Sequence, residues 1–345
     1  LPEMSGLKQF LPRLALGETL SEADAELAFN IIMSGEASAA QMGAFLMALR
    51  MRGETVEEIT AAARIMRAKA TQVSAPEGAI DTCGTGGDAS GTYNISTAAA
   101  LVTAACGVVV AKHGNKAMSS KSGSADVLAA LGVNLEAEMA HVEDAIRDVG
   151  IGFLMAPRHH SAMRHVGPVR MELGTRTIFN LLGPLANPAG ATRQLLGVYS
   201  RQWVEPIAIV LGKLGSKRAM VVHGSDGLDE ITTTGPTHVG EYHNGTVSTY
   251  TITPEDVGLP LASADDLKGG DAAHNAAALT ALLKGAHGPY RDIVLFNTSA
   301  SLMVADKVAT LRDGVAMAAA AIDDGRAWDT LQRLIAVTQR SAQEV

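Results

Sequence analysis

Ala79-Ile80-Asp81-Thr82-Cys83-Gly84-Thr85-Gly86-Gly87-Asp88 is the stretch at which this sequence changes character. On its amino-terminal side the pattern is helical throughout. Three helix starts carry a capping pattern, in which a side-chain oxygen accepts from a free amide of the first turn: Ser21-x-x-Asp24, Ser38-x-x-Gln41 and Thr55-x-x-Glu58. Leu27, Ile31 and Ile32 give the first of these helices an apolar face, and Phe45, Leu46 and Leu49 give one to the second. On its carboxyl-terminal side, short apolar runs at 108–111, 151–155, 195–199, 219–222 and 293–296 alternate with helical segments. That alternation predicts a largely parallel sheet covered by helices. Runs 239–242 and 246–250 flank Asn244-Gly245, a strong hairpin signal, so one antiparallel piece is expected. Segment 158–182 interrupts the alternation with further helix, and the chain from 308 onward is Ala-rich helix. The fold class read from this is α/β. A small all-helical domain, 1–73 joined by part of 158–190, precedes a larger domain, 74–345, with a mostly parallel central sheet.

Composition narrows the function. At 345 residues and 47 % hydrophobic, the chain is long enough for two domains with a large core. A net charge of −8 argues against general attraction to nucleic acid or an anionic membrane, so an anionic ligand needs a local cluster of cations or amides. The cysteines, Cys83 and Cys106, make no disulfide framework and suit a reducing cytoplasm. The longest apolar run, 98–111, falls short of the roughly 20 residues of a membrane helix. Leu1-Pro2-Glu3 lacks the regions of a signal peptide and reads as a trimmed start. A soluble cytoplasmic protein is expected.

Three motifs carry chemistry. Gly84-Thr85-Gly86-Gly87-Asp88 follows a short strand, and Asn94-Ile95-Ser96-Thr97 opens the next helix, where unpaired amides favour an anion. The spacing is neither a Walker A loop nor the dinucleotide Gly-x-Gly-x-x-Gly. Asp88 would repel a bare phosphate and suits a sugar hydroxyl, an amide or a cation; a plain tight turn is the bland alternative. Residues 112–126, after the 108–111 run, place three lysines and four serines around two glycines in an otherwise acidic chain. Lysine charge with serine hydroxyls suits a diphosphate, the alternative being a solvated turn. In Val221-Val222-His223-Gly224-Ser225-Asp226-Gly227-Leu228-Asp229-Glu230 a strand runs into a loop, where the adjacent acids Asp229 and Glu230 suit Mg²⁺ or merely a solvated turn.

Together with the run Arg170-Met171-Glu172-Leu173-Gly174-Thr175-Arg176-Thr177-Ile178-Phe179-Asn180-Leu181-Leu182-Gly183-Pro184-Leu185-Ala186-Asn187-Pro188, these motifs resemble the anthranilate phosphoribosyltransferases over nearly the whole chain. The resemblance implies transfer of a phosphoribosyl group from phosphoribosyl pyrophosphate (PRPP) to the amine of anthranilate, in tryptophan biosynthesis. It also implies two hinged domains, a homodimer formed through the helical domains, and a fold shared with pyrimidine nucleoside phosphorylases. By resemblance, Gly84, Gly87, Asp88, Thr92, Asn94, Ile95, Ser96, Thr97, Lys112, His113, Gly114, Asn115, Lys116, Ala117, Met118, Ser119, Ser120 and Ser124 would contact PRPP. Ser96, Asp229 and Glu230 would hold Mg²⁺. Gly84, Asn115 and Arg170 would contact anthranilate, with His113, Met163 and Gly183 nearby. Lys116 departs from the arginine that family members commonly carry, keeping the charge but losing the planar fork.

Displacement at the anomeric carbon builds negative charge on departing pyrophosphate, and the aromatic amine attacks without first losing a proton. Catalysis by positioning and leaving-group stabilisation, without a strong general base, is therefore expected. Arg170 is the natural partner of the anthranilate carboxylate; the competing role is an internal ion pair with Glu172 or another acid. Cys83 reads as a packing residue, because no activating His is fixed beside it. His159, His160 and His165 lack zinc-helix spacing, and the methionines of 42–51 read as core. The rivals are a nucleoside phosphorylase of the same fold and a non-catalytic relative that binds nucleic acid. Association with the anthranilate-forming synthase stays open.

Overall fold

The computed structural model describes residues 6–117 and 121–341. Seven strands form one sheet: β1 (Ile80–Gly84), β2 (Val110–Gly114), β3 (Ile151–Met155), β4 (Arg193–Gly197), β5 (Arg218–Gly224), β6 (Thr237–His243) and β7 (Thr246–Ile252). Their order is β3-β2-β1-β4-β5-β6-β7. The first five are parallel, and β6 and β7 add the antiparallel hairpin turned at Asn244-Gly245. From β1 the chain builds outward through β2 to β3, then returns to lay β4 on the other side. That reversal opens a crevice between the carboxyl ends of β1 and β4, where open α/β sheets take their ligands.

Strand periodicity divides the core. Leu195, Met220 and Val222 face a cluster built on the helices Ile95–Ala105 and Pro289–Val304. Leu196, Val198, Ala219 and Val221 face the opposite cluster, as alternation along a strand requires. This second cluster also takes in the buried faces of the helices Glu22–Met33, Ala39–Arg52 and Val56–Lys69 and the segment around Val166, Phe179 and Leu182. The amino-terminal helices thus share their core with the later helical interruption and with the helix Val204–Lys213.

The three capping patterns form as read: Ser21 accepts from the Asp24 amide, and Ser38–Gln41 and Thr55–Glu58 make reciprocal boxes. Glu58 does more than cap. Fully buried, it also accepts from the Leu20 amide at 3.0 Å and pairs with Arg52.

Several expectations are corrected. The run 293–296 lies inside the helix Pro289–Val304; its residues are buried because that helix is covered on all sides, and a short apolar run does not distinguish such a helix from a strand. The stripe buried from Glu22–Met33 is centred on Ala25, Ala28, Phe29 and Ile32, so Leu27 falls at its rim and is 47 % exposed. Met51, at the end of its helix, is 83 % exposed and not core. Strand β2 also runs further than the 108–111 reading, so Lys112 and His113 belong to the strand and are buried in it. Among the described residues, no helix is long and apolar enough to cross a membrane.

Candidate active site

Register brings Gly84 at the end of β1 beside Gly197 at the end of β4. The backbone of Asp229, in the loop after β5, packs onto this glycine pair. A Cβ at Gly197 would lie 1.6 Å from the Asp229 carbonyl oxygen, and one at Gly84 2.3 Å from Asp229 Oδ2. Both positions need glycine because another backbone and its carboxylate occupy the space. The glycine loop then turns through left-handed backbone at Gly86 (φ +69°) and Gly87 (φ +75°). The Gly86 amide donates to Asp229 Oδ2 at 2.7 Å, the Thr85 amide donates to the Gly197 carbonyl at 2.9 Å, and the Tyr199 amide donates to Thr85 Oγ1 at 3.0 Å. The Asp88 carboxylate accepts from the Ser90 amide and hydroxyl. Thr92 bridges to Lys268 through backbone.

Asn94 precedes the helix Ile95–Ala105 but does not cap it. Its side chain instead accepts from Asn275 Nδ2 at 3.0 Å and donates to the Ser122 carbonyl at 3.2 Å. Ile95 and Thr97 are buried in the first turn. Lys112 reaches across from β2, its ammonium donating to the Thr82 carbonyl and to Ser96 Oγ at 3.2 Å. One of its three donors is left over. Beyond Gly114 the basic loop fastens itself. Asp126 Oδ2 accepts from the amides of Ala117 and Gly123, both at 2.8 Å, and Ser124 Oγ donates to the Asn115 carbonyl. The side chains of Asn115 and Lys116 are exposed. Met118, Ser119 and Ser120 lie outside the described residues.

Three carboxylates meet where these loops converge. Burial, and then the Asp88 charge, push the Asp229 carboxyl above its ordinary range; burial, and then Asp229, do the same to Glu230, which also draws on the Ser96 amide. Two amides that suit an anion, those of Gly86 and Ser96, are thus engaged by carboxylates. Crowded hard oxygen donors of like charge favour a small divalent cation. Mg²⁺ commonly takes one or two protein carboxylates and completes its shell with water and phosphate. Asp229, Glu230 and the Ser96 hydroxyl fit that demand.

His113 is buried at the root of the basic loop. Its Nδ1 meets the Gly183 carbonyl at 3.1 Å and its Nε2 meets His160 Nε2 at 3.2 Å. A carbonyl needs a donor, so Nδ1 carries the proton and Nε2 accepts from His160. Burial, with the neighbouring His160 and His159, lowers its pKa to about 3. Neutral, with both ring nitrogens occupied by protein, His113 is no general base. Cys83 is likewise quiet: burial raises its thiol pKa, and Gln194 Nε2 donates to its sulfur at 3.3 Å. Arg170, on the helix Gly167–Leu173, places its guanidinium 5.8 Å from the Phe179 ring centroid. Among the described residues it makes no ion pair, so the internal pair with Glu172 is absent. Met163 packs against the core shared by the amino-terminal helices, beside Met33, Met66, Lys69 and His160. Among the described residues, no hydrogen bond joins Arg170 or Met163 to the strand-end loops.

Four supporting residues were missed. Asp81, a buried residue of β1, accepts from the His113 amide at 3.1 Å and from Asn187 Nδ2 at 2.8 Å; Asn187 also donates to the Ala111 carbonyl. Arg176 donates to the Gly87 carbonyl and lies 4.3 Å over the Tyr199 ring. Asn275 orients Asn94. Arg176 and Asn187 sit within the 170–188 run, but nothing local says what they face.

Helices on both faces of a mostly parallel sheet, a separate helical bundle, and glycine-rich and basic loops at the sheet's switch point fit a two-domain glycosyl transferase. Residues 8–70 match the helical bundle domain of the glycosyl transferase family, and residues 76–328 match its a/b domain. The chain is 67 % identical to the anthranilate phosphoribosyltransferase of Rhodospirillum rubrum over 331 residues, covering 96 % of this chain and 95 % of that one. The crystal structure of the Thermus thermophilus anthranilate phosphoribosyltransferase superposes with TM-score 0.91 at 46 % identity, covering 96 % and 99 % of the two chains. That of Saccharomyces cerevisiae in complex with PRPP and Mg superposes with TM-score 0.88 at 29 % identity, covering 96 % and 97 %. The same yeast protein in complex with 4-fluoroanthranilate gives 0.86 at 28 %, with the same coverage. This chain belongs to the anthranilate phosphoribosyltransferase family.

Proposed function

We propose that this chain transfers the 5-phosphoribosyl group of PRPP to the amino group of anthranilate, giving N-(5-phosphoribosyl)anthranilate and pyrophosphate. The observation that carries the reading is the hydrogen bond from the Gly86 amide to Asp229, which joins loops 143 positions apart at the crevice between β1 and β4. Gly84, Gly87, Asp88, Thr92, residues 94–97, residues 112–120 and Ser124 bind PRPP. Asp229, Glu230 and Ser96 hold Mg²⁺, which when bound neutralises charge on the departing pyrophosphate. Arg170 receives the anthranilate carboxylate, with Gly84, Asn115, His113, Met163 and Gly183 around the ring. A half-buried guanidinium without an acidic partner supports that role, since a carboxylate would satisfy it with two parallel hydrogen bonds.

The residues act by position. Lys112 fixes the Ser96 hydroxyl and leaves a positive charge beside the diphosphate subsite. His113 stays neutral, contributing ring surface and not proton transfer, which suits an amine that attacks in its neutral form. The helical domain comprises 1–73 with part of 158–190, the rest of 74–345 forming the α/β domain, and the protein works as a cytoplasmic homodimer in tryptophan biosynthesis. Assay of the purified protein with anthranilate, PRPP and Mg²⁺, following loss of anthranilate fluorescence, tests the reaction; fluorescence that persists without change refutes it. Arg170→Ala is expected to weaken anthranilate use by about 1.5–3 kcal/mol, the worth of a charged hydrogen bond. An unaltered anthranilate KM would remove Arg170 from the site. Asp229→Asn with Glu230→Gln is expected to raise the Mg²⁺ requirement, read from magnesium titration.

A further inference from the structure

Arg176 lies between the helix Gly167–Leu173 and the short helix Phe179–Leu182, in the helical segment whose core is shared with the amino-terminal helices. Its guanidinium nevertheless belongs to the glycine loop. It donates to the Gly87 carbonyl, and its plane is supported by the Tyr199 ring at 4.3 Å. Tyr199 is anchored twice: its hydroxyl accepts from Trp203 Nε1 at 3.1 Å, and its amide donates to Thr85 Oγ1 at 3.0 Å. Among the described residues Arg176 has no acidic partner, so its charge is not spent on an ion pair.

The contact has a directional consequence. In a trans peptide the carbonyl and the following N–H point in opposite directions. Among the described residues no peptide is cis, so a Gly87 carbonyl held by Arg176 turns the Asp88 N–H the other way. The amides of Gly87 and Asp88 meet no protein acceptor among the described residues, whereas Gly86 donates to Asp229. At Gly87, with φ +75°, the backbone has little intrinsic preference between several orientations, so an external hold decides which one persists.

We propose that Arg176 is a positioning residue for the PRPP loop: it fixes the 87–88 peptide so that the Asp88 amide is presented to the diphosphate. The role rests on the assignment of PRPP to the glycine loop. Arg176 acts through the loop and not by touching the ligand. It also couples the loop to the helical segment, because the same residue is built into both.

The test is calorimetric titration of PRPP with Mg²⁺ into the wild-type protein, Arg176→Ala, Arg176→Lys, Tyr199→Ala and the Arg176→Ala/Tyr199→Ala double variant. KM values for both substrates and thermal midpoints accompany it. Arg176→Ala is expected to weaken PRPP binding about tenfold, as for one charged hydrogen bond, while leaving the anthranilate KM within about twofold. Arg176→Lys keeps the charge but not the planar fork and is expected to recover only part of the affinity. The two alanine changes act on one contact, so their effects are expected not to add. Equal PRPP affinity in wild type and Arg176→Ala overturns the proposal. So does additivity in the double variant, which would make Arg176 a direct ligand of the phosphate. A matched rise in both KM values overturns it as well. If Arg176→Ala does not fold, Arg176→Lys decides: undiminished affinity overturns the role and partial loss supports it. A wild-type protein that binds no PRPP would overturn the ligand assignment itself, separately from the geometry of Arg176.

Discussion

The glycine loop and the basic loop leave adjacent strands at the same edge of the crevice, yet they are held in opposite ways. Residues 84–91 are fastened from a distance. Asp229, Arg176 and Tyr199 reach them from three other segments, and Gly197 leaves room for the Asp229 backbone. Residues 114–117 and 121–126 are fastened largely from within: Asp126 gathers two amides of its own loop and Ser124 closes on Asn115, with Asn94 reaching in to the Ser122 carbonyl. A loop held remotely takes its shape only once the rest of the chain is in place. A loop that holds itself depends less on what lies across the fold. The first arrangement makes the glycine loop sensitive to the relative placement of several elements; the second gives the basic loop a local frame of its own.

The contrast can be broken most severely at Gly197. Gly197→Ala sets a methyl group 1.6 Å from the Asp229 carbonyl, so Asp229 must move. Overpacking of this kind is expected to cost about 3 kcal/mol of stability and most of the activity, read by denaturant unfolding and turnover; a variant with native stability would show that the β5 loop yields freely. Next is pH, which acts at the root of the basic loop. The pKa of His113 is lowered from 6.5 to about 3 and that of His160 to about 4, both chiefly by burial, with His159 and Lys112 also facing His113. Because the unfolded chain binds the protons the folded chain refuses, this stability is fully present above pH 6.5 and is lost as pH falls toward 4. His113 alone is expected to account for about 2 kcal/mol between pH 8 and 5, so the wild-type unfolding energy is expected to fall more steeply over that range than that of His113→Gln. Parallel pH profiles would contradict this.

Asp126→Ala tests the self-fastened loop. It leaves two amides without their acceptor and is expected to cost about 1–2 kcal/mol and to raise the PRPP KM. It leaves the Gly86–Asp229 contact intact, which amide exchange at Gly86 would check. The smallest effect is expected at Gly86→Ala, where φ is +69° but the added methyl meets nothing within 4 Å. Backbone conformation alone is at stake, about 1 kcal/mol, and the amide to Asp229 survives. A loss as large as that of Gly197→Ala would mean that the loop interior, and not its remote support, is the sensitive part.

The same distinction explains what the sequence made legible. Features that close within a few residues were readable: the three capped helix starts, the Asn244-Gly245 hairpin, and the two loops as polar insertions after strands. Asp229 reaches the 84–88 loop through the Gly86 amide and Lys112 reaches the Ser96 hydroxyl, with 118–120 outside the described residues. Features that depend on what lies across the fold were not readable. Ile293 through Phe296 have the composition of a strand, and only burial on every side of their helix explains it. Lys112 looked like a loop cation because its partners, Thr82 and Ser96, are 30 and 16 positions away. Arg176 stands within the 170–188 run, but Gly87 and Tyr199 are separated from it along the chain, so no local pattern announces the contact.

Asp81 and Asn187 carry one more consequence. Only Ile80 and Val110 stand in register between β1 and β2, whereas β1 and β4 are paired along their whole length. Where that ladder lapses, the Asp81 carboxylate takes the His113 amide and Asn187 spans to the Ala111 carbonyl. Beyond Ile80, the seam between the strands that carry the glycine and basic loops is therefore stitched by side chains. Along this one line of the sheet, side-chain hydrogen bonds stand where the other parallel seams have paired backbone.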